Sequence, residues 1–165
     1  MRLRVLGIDP GSRVTGFGVV DLDGQHIGYV ASGCIRTGSA ALSERLKCIF
    51  EELTEIIMLH RPDEVAVESV FMHRNAGSAL KLGQARGAAI CAAAVRKIPV
   101  SEYAPARIKR SIVGRGRATK EQVTHMVTVL LHLSSAPQAD AADALAAALC
   151  HCHIRQTLSG TGTAP

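Results

Sequence analysis

Residues 7–12, GIDPGS, end the apolar run Val5-Leu6-Gly7-Ile8 on an aspartate and follow it at once with proline and glycine. A run with no polar interruption reads as a strand buried on both faces. Proline cannot donate to a sheet ladder and Pro-Gly marks a sharp turn, so the strand stops at Asp9. A charge therefore stands at the end of a buried strand, with the chain turning away from it.

Working outward, residues 3–8 form the first strand, residues 15–20 alternate as a second, and residues 26–35 resume after the Asp23-Gly24 turn signal. These three make a meander. Leu42, Leu46, Ile49, Phe50, Leu53, Ile56 and Ile57 then recur at helical spacing before Pro62. EVAVES, residues 64–69, is short and rich in valine, which suits a buried strand. The spacing predicts an Ala/Gly-rich helix over 75–97, whose small residues admit another backbone closely, and a fifth strand over 99–103. A short helix over 106–113, a basic GRGR turn and a helix opened by a Thr119–Gln122 capping box and running to about residue 133 come next. A last helix covers about 139–157 and leads into SGTGTAP, expected to be disordered. Strands first, then alternating helix and strand, predict an α/β fold: a five-stranded mixed sheet flanked by helices. One domain over 1–157 and a tail over 158–165 are expected.

The chain has 165 residues, 47% of them hydrophobic, which is enough to bury a sizeable core. Net charge is +5, from 19 Lys+Arg against 14 Asp+Glu. The excess is concentrated. Between residues 96 and 120 there are eight basic side chains against the single acid Glu102, among them Lys109, Arg110, Arg115, Arg117 and Lys120. That stretch is the candidate face for an anionic ligand such as nucleic acid. Five cysteines, an odd number scattered in apolar contexts, fit a reducing cytosol, and no signal peptide is expected at the N-terminus. No run of about 18 apolar residues is present, so no spanning helix is expected.

Four carboxylates stand in unusual places. Asp9 ends the first strand, Glu68 ends the VAVE strand, and Asp140 and Asp143 lie at i and i+3 near the start of the last helix. Strand ends in such a sheet converge on one crevice, and an i, i+3 pair shares a helix face. Each acid alone has an ordinary explanation: a turn former, a strand-end charge, or acids favoured by a helix N-terminus. Together they point to one acidic pocket, whose mutual repulsion needs cations to offset it. Oxygen-only ligands favour Mg²⁺ or Mn²⁺, and two such ions can activate water and stabilise a leaving oxygen in phosphodiester hydrolysis. CHCH at residues 150–153 is not expected to hold zinc, because on a helix Cys152 points away from the face shared by Cys150 and His153 and no second ligand cluster appears.

Three blocks in order, GIDPGSRVTGFGVV, ESVFMHRNAGSALKLGQARG and PQADAADALAAALCHCH, closely resemble the RuvC family of bacterial Holliday-junction resolvases, over about residues 3–154. The resemblance implies a ribonuclease H-like fold and a homodimer that resolves four-way DNA junctions by paired symmetric nicks in homologous recombination and DNA repair. It implies a Mg²⁺-dependent endonuclease, with Mn²⁺ able to substitute and two ions per site, held by Asp9, Glu68, Asp140 and Asp143. It further implies Phe71 as the aromatic near the junction crossover, Lys109 and Lys120 as DNA contacts, RuvA and RuvB as partners, and a place in the bacterial cytoplasm. Arg110, Arg115 and Arg117 extend the same basic face. Three other classes compete. A silent junction binder gains nothing from carboxylates that repel phosphate, an actin-like ATPase needs a second lobe, and a ribonuclease of the same fold differs only in the middle and C-terminal blocks.

Overall fold

The structure, a computed structural model, describes residues 1–69 and 75–160. Strands β1 (Arg2–Asp9), β2 (Val14–Asp23) and β3 (His26–Arg36) form an antiparallel meander. Helix α1 (Leu42–His60) returns the chain so that β4 (Glu64–Glu68) runs parallel to β1 on its free side. Helix α2 (Ala76–Ala94) repeats the move for β5 (Val100–Tyr103), which pairs in parallel with β4. The sheet order is β3-β2-β1-β4-β5, the mixed five-stranded sheet that the sequence predicts. Helices α3 (Pro105–Val113), α4 (Lys120–Leu130) and α5 (Ala139–Gly160) complete the chain.

Alternation along the strands splits the core into two layers. Leu6, Ile8, Val19, Val65 and Val67 pack with Ile49, Leu53 and Ile57 of α1 and with Ala85, Ala89, Ala92 and Ala93 of α2. Val5, Val20 and Ala66 point the other way, onto Leu145, Ala148 and Leu149 of α5, with Ile108 and Ile112 of α3 and Val123 and Val127 of α4 beyond. The alanines of α2 therefore serve the protein's own core.

Local chemistry sets the helix ends. Arg61 takes a left-handed conformation (φ 49°) to close α1 ahead of Pro62. Pro105 opens α3 and Gly114 closes it. At α4 the expected capping box forms: the Gln122 amide donates to Thr119 Oγ1 at 3.2 Å, and the Thr119 amide donates to Gln122 Oε1 at 2.9 Å. Two boundaries differ from expectation. Helix α4 stops at Leu130, where Leu131 caps it and His132 follows in a left-handed conformation (φ 53°). Helix α5 continues past residue 157 to Gly160, its late hydroxyls bonding back one turn: Thr157 Oγ1 to the His153 carbonyl and Ser159 Oγ to that of Arg155, each 2.9 Å. Among the described residues no helix is long and apolar enough to cross a membrane.

Two glycines decide how closely α5 sits. A Cβ on Gly7 of β1 would overlap the Ala144 carbonyl oxygen and come within 2.9 Å of the Ala148 nitrogen. A Cβ on Gly16 of β2 would overlap the Asp140 carbonyl oxygen. Only glycine lets the backbone of α5 lie directly on these strands, and that contact fixes the height of Asp140 and Asp143 above the sheet.

Candidate active site

Asp9 and Glu68 are neighbours because β1 and β4 are parallel and in register through Ile8 and Val67, one position before each acid. Counting by twos from Val5 and Ala66, both of which face α5, puts both carboxylates on the α5 side of the sheet. Asp143, on the second turn of α5, arrives from above. A cavity of about 270 Å³ opens between them, lined by Asp9, Glu68 and Asp143, by Lys109 of α3 and Lys120 of α4, and by the apolar Pro105, Ile108, Val123 and Ala146. Residues from five elements thus meet at one end of the sheet. The turn after Asp9 is held rigid by buried Thr15, whose hydroxyl donates to the Gly11 carbonyl at 2.9 Å and accepts from the Gly11 amide at 3.2 Å.

Burial and mutual repulsion dominate the electrostatics. Burial, then the charges of Glu68, Asp143 and Asp140, push the Asp9 carboxyl up to about 8, with only Lys120 opposing. Glu68 is raised by burial and by Asp143, and Asp143 is raised by burial, against the pull of Lys120. Lys120 Nζ stands 3.4 Å from Asp143 Oδ2, and that carboxylate holds the lysine above its usual range. Three carboxyls raised together in one crevice form a site built to receive positive charge.

The sequence profile of the family described as crossover junction endodeoxyribonuclease RuvC matches residues 5–151. The chain belongs to the RuvC family. It is 60% identical to the crossover junction endodeoxyribonuclease RuvC of Shewanella sp. (strain W3-18-1) over 163 residues, covering 97% of this chain and 94% of that one. Among solved structures, T. thermophilus RuvC in complex with Holliday junction substrate superposes with a TM-score of 0.89 at 36% identity, covering 95% of this chain and 97% of the other. The yeast mitochondrial Holliday junction resolvase Ydc2, at 10% identity, shares the fold with a TM-score of 0.63 over 98% of this chain and 86% of its own. This RuvC-family chain therefore carries the expected ribonuclease H-like fold.

The donor set fits a hard divalent cation. It offers carboxylate oxygens without sulfur or nitrogen, and the burial and mutual repulsion that raise these carboxyls are conditions a cation offsets. Among the described residues no three His, Cys, Asp or Glu side chains close on one point. An open arrangement of this kind leaves room for a hard cation that takes one or two carboxylates and completes its shell with water and phosphate oxygens.

The remaining expectations divide. Asp140 does not line the cavity, although its charge reaches Asp9 and its carbonyl rests over Gly16. Arg110 on α3 and Arg115 and Arg117 in the α3–α4 link are exposed and lie outside the cavity lining. Phe71 falls outside the described residues. In the CHCH segment, His151 Nδ1 pairs with Tyr103 Oη at 2.6 Å and its Nε2 with Glu64, while His153 Nδ1 pairs with Ser111 Oγ at 2.9 Å. All five cysteines are free thiols. Sequence reasoning missed the Tyr103–His151–Glu64 chain, which links β5, α5 and β4 outside the cavity lining. Its only sequence signal was a histidine facing the core of an otherwise apolar helix.

Proposed function

We propose that this crevice is the hydrolytic centre of a Holliday-junction resolvase, in which Asp9, Glu68, Asp140 and Asp143 hold two Mg²⁺ ions, with Mn²⁺ able to replace them. The observation that carries the reading is the convergence of Asp9, Glu68 and Asp143, all raised in pKa, with Lys109 and Lys120 in one cavity. Membership of a family of crossover junction endodeoxyribonucleases supports DNA junctions as the substrate. Asp140, one helical turn before Asp143 on α5 and already felt by Asp9 through its charge, completes the set from the edge of the cavity.

When bound, the ions supply Lewis-acid charge to the attacking water and to the departing oxygen of the phosphodiester. Asp9 and Glu68, fixed on adjacent strand ends, hold their oxygens in one geometry through the reaction. Lys120, 74% exposed and among the described residues tethered only to Asp143, is free to turn toward charge gathering on the scissile phosphate. Lys109 binds the phosphate from the α3 side, and Arg110, Arg115 and Arg117 steer the arms by their field. Phe71 stacks on an unpaired base near the crossover, a contribution of about 1–3 kcal/mol.

A four-way junction has approximate two-fold symmetry, so a homodimer presents two such crevices to strands of like polarity and makes paired nicks. The protein forms a single nuclease domain, works in the reducing cytoplasm of a bacterium, where its thiols stay free, and acts with the branch-migration proteins RuvA and RuvB. The test is cleavage of a synthetic mobile four-way junction by wild type and Asp9→Asn, with and without Mg²⁺, beside linear duplex and an RNA/DNA hybrid. Symmetric nicks that need both Mg²⁺ and Asp9 are expected. Tight binding with no cutting under any metal, or cutting of the hybrid alone, overturns the reading.

A further inference from the structure

A second cavity, of about 290 Å³, lies on the other face of the sheet, where the β1–β2 turn meets the starts of α1 and α2. It is lined by Ser12, Arg13, Arg45, Ser78, Lys81 and Leu82, three cations and no acid among the described residues. Arg45 is the unusual member, being only 8% exposed. Its Nη1 donates to the Ser12 carbonyl at 3.3 Å and approaches Ser12 Oγ at 3.5 Å, yet its Nε has no hydrogen-bond partner among the described residues. A buried guanidinium with an unpaired donor is costly, and a planar fork of this kind matches the oxygens of a phosphate. The walls are firm. Thr37 Oγ1 donates to the Ser12 carbonyl at 2.7 Å, and Asn75 caps α2 through the amides of Gly77 and Ser78 at 2.9 and 3.3 Å.

We propose that this cavity is a second phosphate subsite, in which Arg45, Arg13 and Lys81 grip a backbone phosphate of the DNA away from the cut. The inference rests on the junction-nuclease reading. Its place follows from the chain: Ser12 stands three residues after Asp9, a span of at most about 11 Å. Successive nucleotides on one strand rise about 3.4 Å along the duplex axis, so a strand cut at Asp9 brings a phosphate at most about three steps away to the second cavity. The substrate strand then crosses the end of the sheet, held from one face by Lys109 and Lys120 and from the other by Arg45. Two grips on opposite faces fix the strand's direction through the crevice, which a single basic face cannot do.

Arg13 and Lys81 are exposed, so Arg13→Gln with Lys81→Gln tests the subsite without disturbing the core. Binding of a fluorescent four-way junction in EDTA is measured across a salt series, beside wild type. The double variant is expected to lose affinity about tenfold or more and to shallow the slope of log K against log salt by one to two units. Replacing the phosphates within about three nucleotides of the cut by uncharged methylphosphonates should weaken wild type but add little to the double variant's loss. That non-additivity separates a DNA phosphate from a free phosphate ion. A wild-type slope and affinity in the double variant, or fully additive losses, overturns the subsite. Failure of wild type itself to bind and cut the junction sinks the nuclease reading and the subsite with it.

Discussion

Lys120 Nζ lies 3.4 Å from Asp143 Oδ2, so the cation of α4 is tethered to an acid of α5 across the mouth of the crevice. With the lysine 74% exposed and the aspartate 18% exposed, the pair adds under about 1 kcal/mol to stability. Its value is positional, since it keeps a mobile charge beside three repelling carboxylates. Lys120→Met is expected to lower single-turnover junction cleavage about 10²- to 10³-fold while leaving the urea midpoint nearly unchanged. A variant that melts early but cuts at the wild-type rate would show a structural role instead.

The Asp9 carboxyl makes the metal-free fold sensitive to pH. The unfolded chain releases this proton near pH 4 and the folded chain only at about 8, so between those values the folded state binds the extra proton. Stability in EDTA therefore falls as pH rises from about 4 to 8. Asp9→Asn, a neutral shape mimic, should flatten that part of the profile and melt above wild type at pH 8, with each kcal/mol recovered worth about 2–4 °C. Thermal melts at a series of pH values decide the matter. Parallel wild-type and mutant profiles would mean that Asp9 does not titrate in this range.

Gly7 and Gly83 offer a paired test of the α5 contact. A Cβ at Gly7 meets the α5 backbone, whereas one at Gly83, on the exposed side of α2, meets nothing within 4 Å. Gly7→Ala is expected to destabilise by about 3 kcal/mol and to reduce cleavage, because Asp143 rides on the displaced helix. Gly83→Ala should gain up to about 1 kcal/mol from helix propensity. Urea titrations of the two variants check the contrast, and equal effects would remove Gly7 from its role.

Tyr103 ends β5, beside the cavity but outside its lining. It pairs with Glu68 in the sheet, and its buried hydroxyl meets His151 Nδ1 at 2.6 Å while Nε2 of the same ring meets Glu64. A carboxylate can only accept, so Nε2 donates to Glu64, and in the neutral ring Nδ1 then accepts from the tyrosine hydroxyl. Tyr103→Phe leaves that nitrogen buried and unpaired, at a cost of about 1–3 kcal/mol. Denaturation should register this loss, together with a smaller fall in cleavage than Asp9→Asn gives. A neutral substitution would indicate that water replaces the hydroxyl.

Much of this protein was legible along the chain because the signals are local. The apolar run ending at Asp9, the capping box of Thr119 and Gln122, and Pro62 beyond α1 each act within a few residues. The family pattern was equally readable, and the four acids could be named as candidates, since both are matters of residue type and order. Tertiary packing alone decided the rest. Asp140 and Asp143 share an i, i+3 spacing, yet only Asp143 lines the cavity, because the seat of α5 on Gly7 and Gly16 sets the angle at which that face meets the sheet. Arg45 reads as one more charge on an amphipathic helix, and it becomes a buried guanidinium only where Ser12 and the start of α2 close around it. His151 finds Tyr103 and Glu64 for the same reason. Sequence determines which groups a chain carries and the period of each element. The register between strands and the closeness of helix to sheet determine which of those groups meet.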